Sequence, residues 1–162
     1  MSSEMALRRR IRWLVGVLLL GLLISGATAI PLQTETGWLA WFSSAQWLIR
    51  VHTALVQVQS QYPFLFYGTD WLAFGHFMIA VAFIGALKDP VRNRWLFDFG
   101  LIACALVIPW ALIFGAARGI PFWWRLIDCS FGVFGFVPLW FCRIWAKKLD
   151  ERRAETNFPP QR

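Results

Sequence analysis

The residues that could do chemistry in this chain are few. They are two histidines, His52 and His76, the aspartates Asp70, Asp98 and Asp128, the arginines Arg118 and Arg125, Tyr67, and the cysteines Cys104, Cys129 and Cys142. Aspartate and histidine together can exchange protons, but no nucleophile stands beside them in sequence. No hydrolase triad, phosphate loop or zinc motif is present. Two imidazoles could ligate one b-type haem, which makes His52 and His76 a candidate pair, although no paired spacing on facing helices announces it. No CxxC pair exists, so disulfide exchange lacks its basic part. The three cysteines read as reduced, buried thiols acting as small hydrophobes.

The elements that must position these residues follow from composition. Of 162 residues, 58% are apolar and only 15% are charged, and 11 are Trp and 15 Phe. A soluble domain of this length would expose much of that aromatic surface, and disordered chains are poor in aromatics. The formal charge of +7 sits between long apolar runs, which argues against nucleic-acid binding. The chain is therefore expected to be an all-α integral membrane protein.

A spanning helix needs about 20 largely apolar residues. Four stretches qualify, at about 13–30, 71–87, 95–117 and 123–145, with Pro109 and Pro138 inside the last two. The stretch from 37 to 58 is predicted as an amphipathic helix on the outer face, not a span. Ser43, Ser44, Gln46, Arg50, His52, Thr53 and Gln57 load it with polar groups. Trp38, Trp41, Phe42, Ala45, Leu48, Ile49, His52 and Val56 form its apolar side. The expectation is a four-transmembrane-helix bundle in one membrane domain, 1–146, followed by a basic cytoplasmic tail, 147–162, that is charged and frayed from Asp150 onward.

Charge placement orients the spans. Arg8, Arg9, Arg10 and Arg12 precede the first. Lys88, Arg92 and Arg94 lie between the second and third. Arg143, Lys147, Lys148, Arg152, Arg153 and Arg162 end the fourth. Only Arg50, Arg118 and Arg125 fall on the other side. Positive residues near membrane ends favour the cytoplasm, so both termini are expected there. An alternative stays open at the start, where arginines, an apolar run and Ala27-Thr28-Ala29 also resemble a secretory signal. Cleavage there would leave three spans and a mature N-terminus near Ile30.

Ionisable groups in a membrane are costly to bury and are candidates for function by default. Asp98 lies four residues after Arg94 and is expected to pair with it. Six further polar residues gather toward the outer face as a candidate ligand-binding set: Tyr67, Asp70, His76, Arg118, Arg125 and Asp128. Arg125 and Asp128 are spaced to share a helix face. His76 and Asp128 lie at matched depth, His76 about 7–8 Å below the start of its helix. Two readings are open. In one, the set fixes helix register, with Arg125 pairing Asp128, Asp70 pairing Arg118 and His76 donating to a carboxylate. In the other, it lines a polar pocket for a quinone-like or lipid-headgroup ligand, or relays protons. No inverted repeat of the transporter kind is apparent.

Three strings carry a resemblance: Tyr67-Gly68-Thr69-Asp70-Trp71, Asp89-Pro90-Val91-Arg92-Asn93, and Gly119-Ile120-Pro121-Phe122-Trp123-Trp124-Arg125-Leu126-Ile127-Asp128-Cys129-Ser130-Phe131-Gly132. Together they resemble a family of small, uncharacterised, four-span bacterial inner-membrane proteins. The likeness covers about 62–145, with a weaker echo at 25–32. It implies a bacterial inner-membrane location and no particular mechanism, cofactor or substrate. The expected function is a non-enzymatic accessory or small-ligand-binding protein, in contact with the lipid bilayer and with a homo-oligomer or larger membrane complex as candidate partner. A quinone- or haem-linked redox protein is the alternative.

Overall fold

A computed structural model describes residues 2–157, with side chains from 3 to 154, and these residues are all-α. The helices are α1 (Ser2–Ala29), α2 (Leu32–Phe42), α3 (Gln46–Gln61), α4 (Tyr67–Lys88), α5 (Trp95–Ala117) and α6 (Phe122–Asn157), with one 3-10 turn, Pro63–Phe66, before α4. Four stretches are long and apolar enough to cross a membrane: Ser3–Ala29, Pro63–Lys88, Trp95–Ala117 and Phe122–Ala154. They match the four predicted spans, the first ending at Ala29, one residue short of the expected Ile30. Large apolar side chains such as Leu20, Ile24, Leu106, Ile113, Phe131 and Phe134 stand exposed along them. A chain in water would hide such surface, whereas lipid solvates it.

Two sequence expectations change. The helix predicted over 37–58 is two helices, broken at 43–45. Ser43 is extended (φ −120°, ψ 132°) and its Oγ accepts the Ala45 N–H at 3.2 Å, a local hydrogen bond that competes with helix continuation. The fourth span does not end its helix near Trp145. α6 has 36 residues, about 54 Å at 1.5 Å per residue, well beyond a ~30 Å hydrocarbon core. The part of the tail carrying Pro159, Pro160 and Arg162 lies outside the described residues.

The described chain divides into two compact units, with the boundaries inside α1 and α4. The first holds α1 up to Leu19, α4 from Ala82, α5 and α6. Its core joins Ile11 and Val15 of α1, Phe83 and Ala86 of α4, Leu96, Phe97 and Leu101 of α5, and Leu139, Cys142, Ala146 and Leu149 of α6. The three- and four-residue spacings on α6 put its contributors on one helix face.

Polar contacts at the Arg-rich end lock this core. The Asp89 carboxylate accepts the Val91 and Arg92 N–H groups at 3.1 and 3.3 Å. Asn93 Nδ2 donates to the Gly85 and Asp89 carbonyls, both at 3.0 Å. Burial opposes ionisation of Asp89. The Arg92 and Val91 N–H groups and the Arg153 and Arg8 guanidiniums outweigh it and hold the carboxyl below its usual range. The extension of α6 is tied down by Arg94–Asp150 at 3.3 Å and Arg153–Asp89 at 3.8 Å, with Lys147–Glu151 at 3.7 Å along its own face. Arg152 also donates to Ser3 Oγ. These contacts explain why a strongly charged segment stays helical.

Asp98 does not pair with Arg94 as expected. Its partner is Arg143 of α6. An Arg placed N-terminal to an acid at i,i+4 has the less favourable order, and Arg94 is taken by Asp150.

α5 turns tightly into α6. Gly119 adopts φ 70°, the Ile120 N–H donates to Gly115 O at 2.8 Å, and the Gly119 N–H donates to Ala116 O at 3.1 Å. This is a Schellman helix end, which needs a left-handed residue. The two helices then run antiparallel in close contact. A Cβ on Gly132 would sit 2.5 Å from Cys104 O, so only glycine permits the approach.

In the second unit, Leu20–Val81, α1 and α4 meet at Gly26, where a Cβ would lie 3.1 Å from Ala73 O. α2 and α3 form a hairpin around buried Thr36 and Leu48.

Candidate functional site

The six candidate residues divide evenly between the units, and each group is described in its own. In the second unit, Tyr67 and Asp70 lie on one face of α4 with Trp71 and Phe74, lining a shallow groove of about 250 Å³. The spacing 67, 70, 71, 74 is that of a single helix face. Tyr67 meets Trp71 edge-on (5.9 Å, 87°), and Trp71 meets Phe74 likewise (5.5 Å, 83°). Asp70 is exposed among these rings. It has no hydrogen-bond or ion-pair partner among the described residues. It occupies the first turn of α4, where the helix dipole favours a carboxylate.

His76 lies further along α4, half-buried, with Nδ1 2.8 Å from Leu72 O. A carbonyl only accepts, so Nδ1 carries the proton and donates. The expected donation to a carboxylate is therefore not what this nitrogen does. His52 is held in the α2–α3 hairpin, its Nδ1 3.5 Å from Thr36 Oγ1 and its ring against Gly37. The two imidazoles suggested as haem ligands are thus each engaged locally through Nδ1. Among the described residues no group of three or more His, Cys, Asp or Glu could hold a metal ion. The geometry adds no support to a redox role.

In the first unit, Arg118 is exposed at the end of α5. Arg125 crosses from α6 to α5: its stem occupies the space a Gly115 side chain would fill. Its Nη1 donates to Leu112 O at 3.3 Å, and its guanidinium lies 5.3 Å over the Phe122 ring. Its Nε is buried without a partner in the described structure. Asp128, one turn on and half-buried, makes no hydrogen bond or ion pair with the described residues. The expected Arg125–Asp128 pair is not formed, because the gap at Gly115 and the Leu112 carbonyl draw the guanidinium across to α5.

The charged residues that do come together were given little weight in the sequence: Asp98 with Arg143, Asp89 with Arg153, and Arg94 with Asp150. One signal could have found the first pair. Each lies within about a turn of the Arg-rich boundary of an apolar run, on α5 and α6, helices joined by a hairpin too short for anything but antiparallel packing.

Four apolar spanning helices with polar contacts concentrated at their Arg-rich ends define an all-α, four-span membrane protein. No family model matches the chain, and neither a curated protein nor a solved structure matches it. The likeness carried by the three strings finds no counterpart among them.

Proposed function

We propose that this chain is a multi-pass protein of a bacterial inner membrane, with its Arg-rich ends in the cytoplasm. It works without catalysis, as an accessory or small-ligand-binding protein. Its contact surface is the groove of Tyr67, Asp70, Trp71 and Phe74. The observation that carries this reading is a contrast between carboxylates. Asp89, Asp98 and Asp150 are paired with arginines, whereas Asp70 and Asp128 lack such a partner among the described residues. Of these two, Asp70 is the one that is exposed and lines a groove. A carboxylate flanked by aromatic faces suits a ligand with a cationic or hydrogen-bond-donating group on an apolar body. The placement of basic residues supports the orientation, and the resemblance of the three strings supports the bacterial location.

Calorimetry in lipid nanodiscs, with tetraphenylphosphonium as an apolar cationic probe, tests the groove. Asp70 is exposed and the probe carries no hydrogen-bond donor, so the contact is an exposed ion pair worth about 0.2–1 kcal/mol. Asp70→Asn should therefore weaken binding roughly 1.5- to 5-fold with the melting temperature unchanged. Equal binding by wild type and variant would remove Asp70 from the site. A large drop in melting temperature would make its role structural. Orientation is read from single cysteines placed at Arg118 and Arg92, both exposed. An impermeant thiol reagent added to intact cells with a permeabilised outer membrane should label only the first.

A further inference from the structure

The first unit carries a second surface, unrelated to the groove on α4. Arg9, Arg10, Trp13 and Leu14 of α1 and Trp145 of α6 surround an open cleft of about 380 Å³. We infer that this cleft seats the headgroup of an anionic phospholipid, with Arg9 and Arg10 binding the phosphate diester and Trp13, Leu14 and Trp145 covering the glycerol and the first acyl carbons.

Charge supports this occupant. Neither Arg9 nor Arg10 has a carboxylate partner among the described residues, while the acids nearby on α6 and on the α4–α5 turn are engaged: Asp150 by Arg94, Glu151 by Lys147 and Asp89 by Arg153. The Arg10 guanidinium lies 5.9 Å from the centre of the Trp145 ring. That cation–π contact uses no N–H group in a hydrogen bond and leaves the guanidinium donors for an anion.

Depth supports it independently. Trp13 opens the apolar run of α1 and Trp145 closes that of α6, and Trp rings settle at the level of lipid headgroups. The two arginines precede Trp13 by about one turn, on the headgroup side, and Leu14 follows it on the acyl side. A guanidinium pair above a Trp and Leu floor matches a phosphate above hydrocarbon. A zwitterionic headgroup would bring its own cation to a surface already rich in positive charge, so the anionic lipid is preferred.

Native mass spectrometry of the full chain, released from detergent and titrated with phosphatidylglycerol or phosphatidylcholine of matched chains, tests the assignment. Wild type should retain one phosphatidylglycerol at collision energies that strip phosphatidylcholine. Arg9→Gln/Arg10→Gln should lower its retention at least tenfold, Arg9→Lys/Arg10→Lys should recover part of it, and Arg12→Gln should behave as wild type. Because Arg9 and Arg10 are exposed, the lipid-free melting temperature of the double variant should equal that of wild type. Three results would each overturn the inference: equal retention of both lipids, equal loss in Arg12→Gln, or full displacement of the lipid by millimolar inorganic phosphate.

Discussion

Replacing Gly132 by alanine tests how closely α5 and α6 approach. The new Cβ would stand 2.5 Å from the Cys104 carbonyl oxygen and 2.7 Å from Val107 Cγ1, with Ile108 Cγ1 at 3.2 Å. The valine methyl can rotate away, but the carbonyl is helix backbone and cannot. Relief therefore requires the helices to part by most of an ångström along a seam that also holds Gly135 against Cys104 and Gly100 against Leu139. Overpacking of this kind costs about 1–3 kcal/mol, and the better helix propensity of alanine returns up to about 1 kcal/mol. Because the closest clash is with backbone, the upper part of that range applies, about 2–3 kcal/mol. The net loss should be about 1–2 kcal/mol once propensity is subtracted, or roughly 2–8 °C in melting temperature for a chain of this size. Gly16→Ala is the control, because nothing lies within 4 Å of the corresponding Cβ on α1. It should be neutral or slightly stabilising. Thermal unfolding in detergent, followed by near-ultraviolet circular dichroism, reads both. If Gly132→Ala melted at or above the wild-type temperature, the close α5–α6 contact would be wrong.

Two further outcomes follow from the ion pairs. Asp98→Asn should destabilise by about 0.5–1.5 kcal/mol, less than the ~1.5–3 kcal/mol of a fully buried hydrogen bond to a charged group, because both side chains are 43% exposed. Adding Arg143→Gln should cost less than the sum of the single changes, whereas Arg94→Gln should be additive with it. Coupling to Arg94 instead would restore the local pair suggested by sequence. For Asp89, the folded carboxyl titrates below its usual value, so its stabilising contribution is present above the unfolded pKa and is lost as pH falls through the folded one. The gap in stability between wild type and Asp89→Asn should hold from neutral pH to about pH 4 and close below it. A gap that widened in acid would contradict the direction of the shift.

The spans were legible because length and hydropathy suffice to mark a helix that crosses lipid. The Arg118-Gly119 hairpin was legible because so short a connection leaves only antiparallel packing. Asp98 misled because proximity in sequence favoured Arg94, while the partner that won comes from 45 residues away and depends on which faces of α5 and α6 meet. The helix over 37–58 misled because its apolar stripe reads continuously through Ser43, and hydrophobic periodicity does not register a serine that diverts the backbone. Arg125 and Asp128 have the right spacing to pair. What separates them is an absent side chain at Gly115, ten residues back and on another helix.

The division of the chain has a consequence for biogenesis. The second unit is one continuous stretch, Leu20–Val81, and is complete when α4 has been made. The first joins Ile11 to Leu149 in a single core, so its earliest residues wait for a partner roughly 140 residues later. At about 5–20 residues per second of synthesis, that wait is on the order of 7–28 seconds. During it the buried faces of α1 and α4 must be sheltered by lipid or by the insertion machinery. A ribosome that stalls before α6 should therefore leave a membrane-inserted chain whose second unit is whole and whose first is open, a natural substrate for membrane proteases.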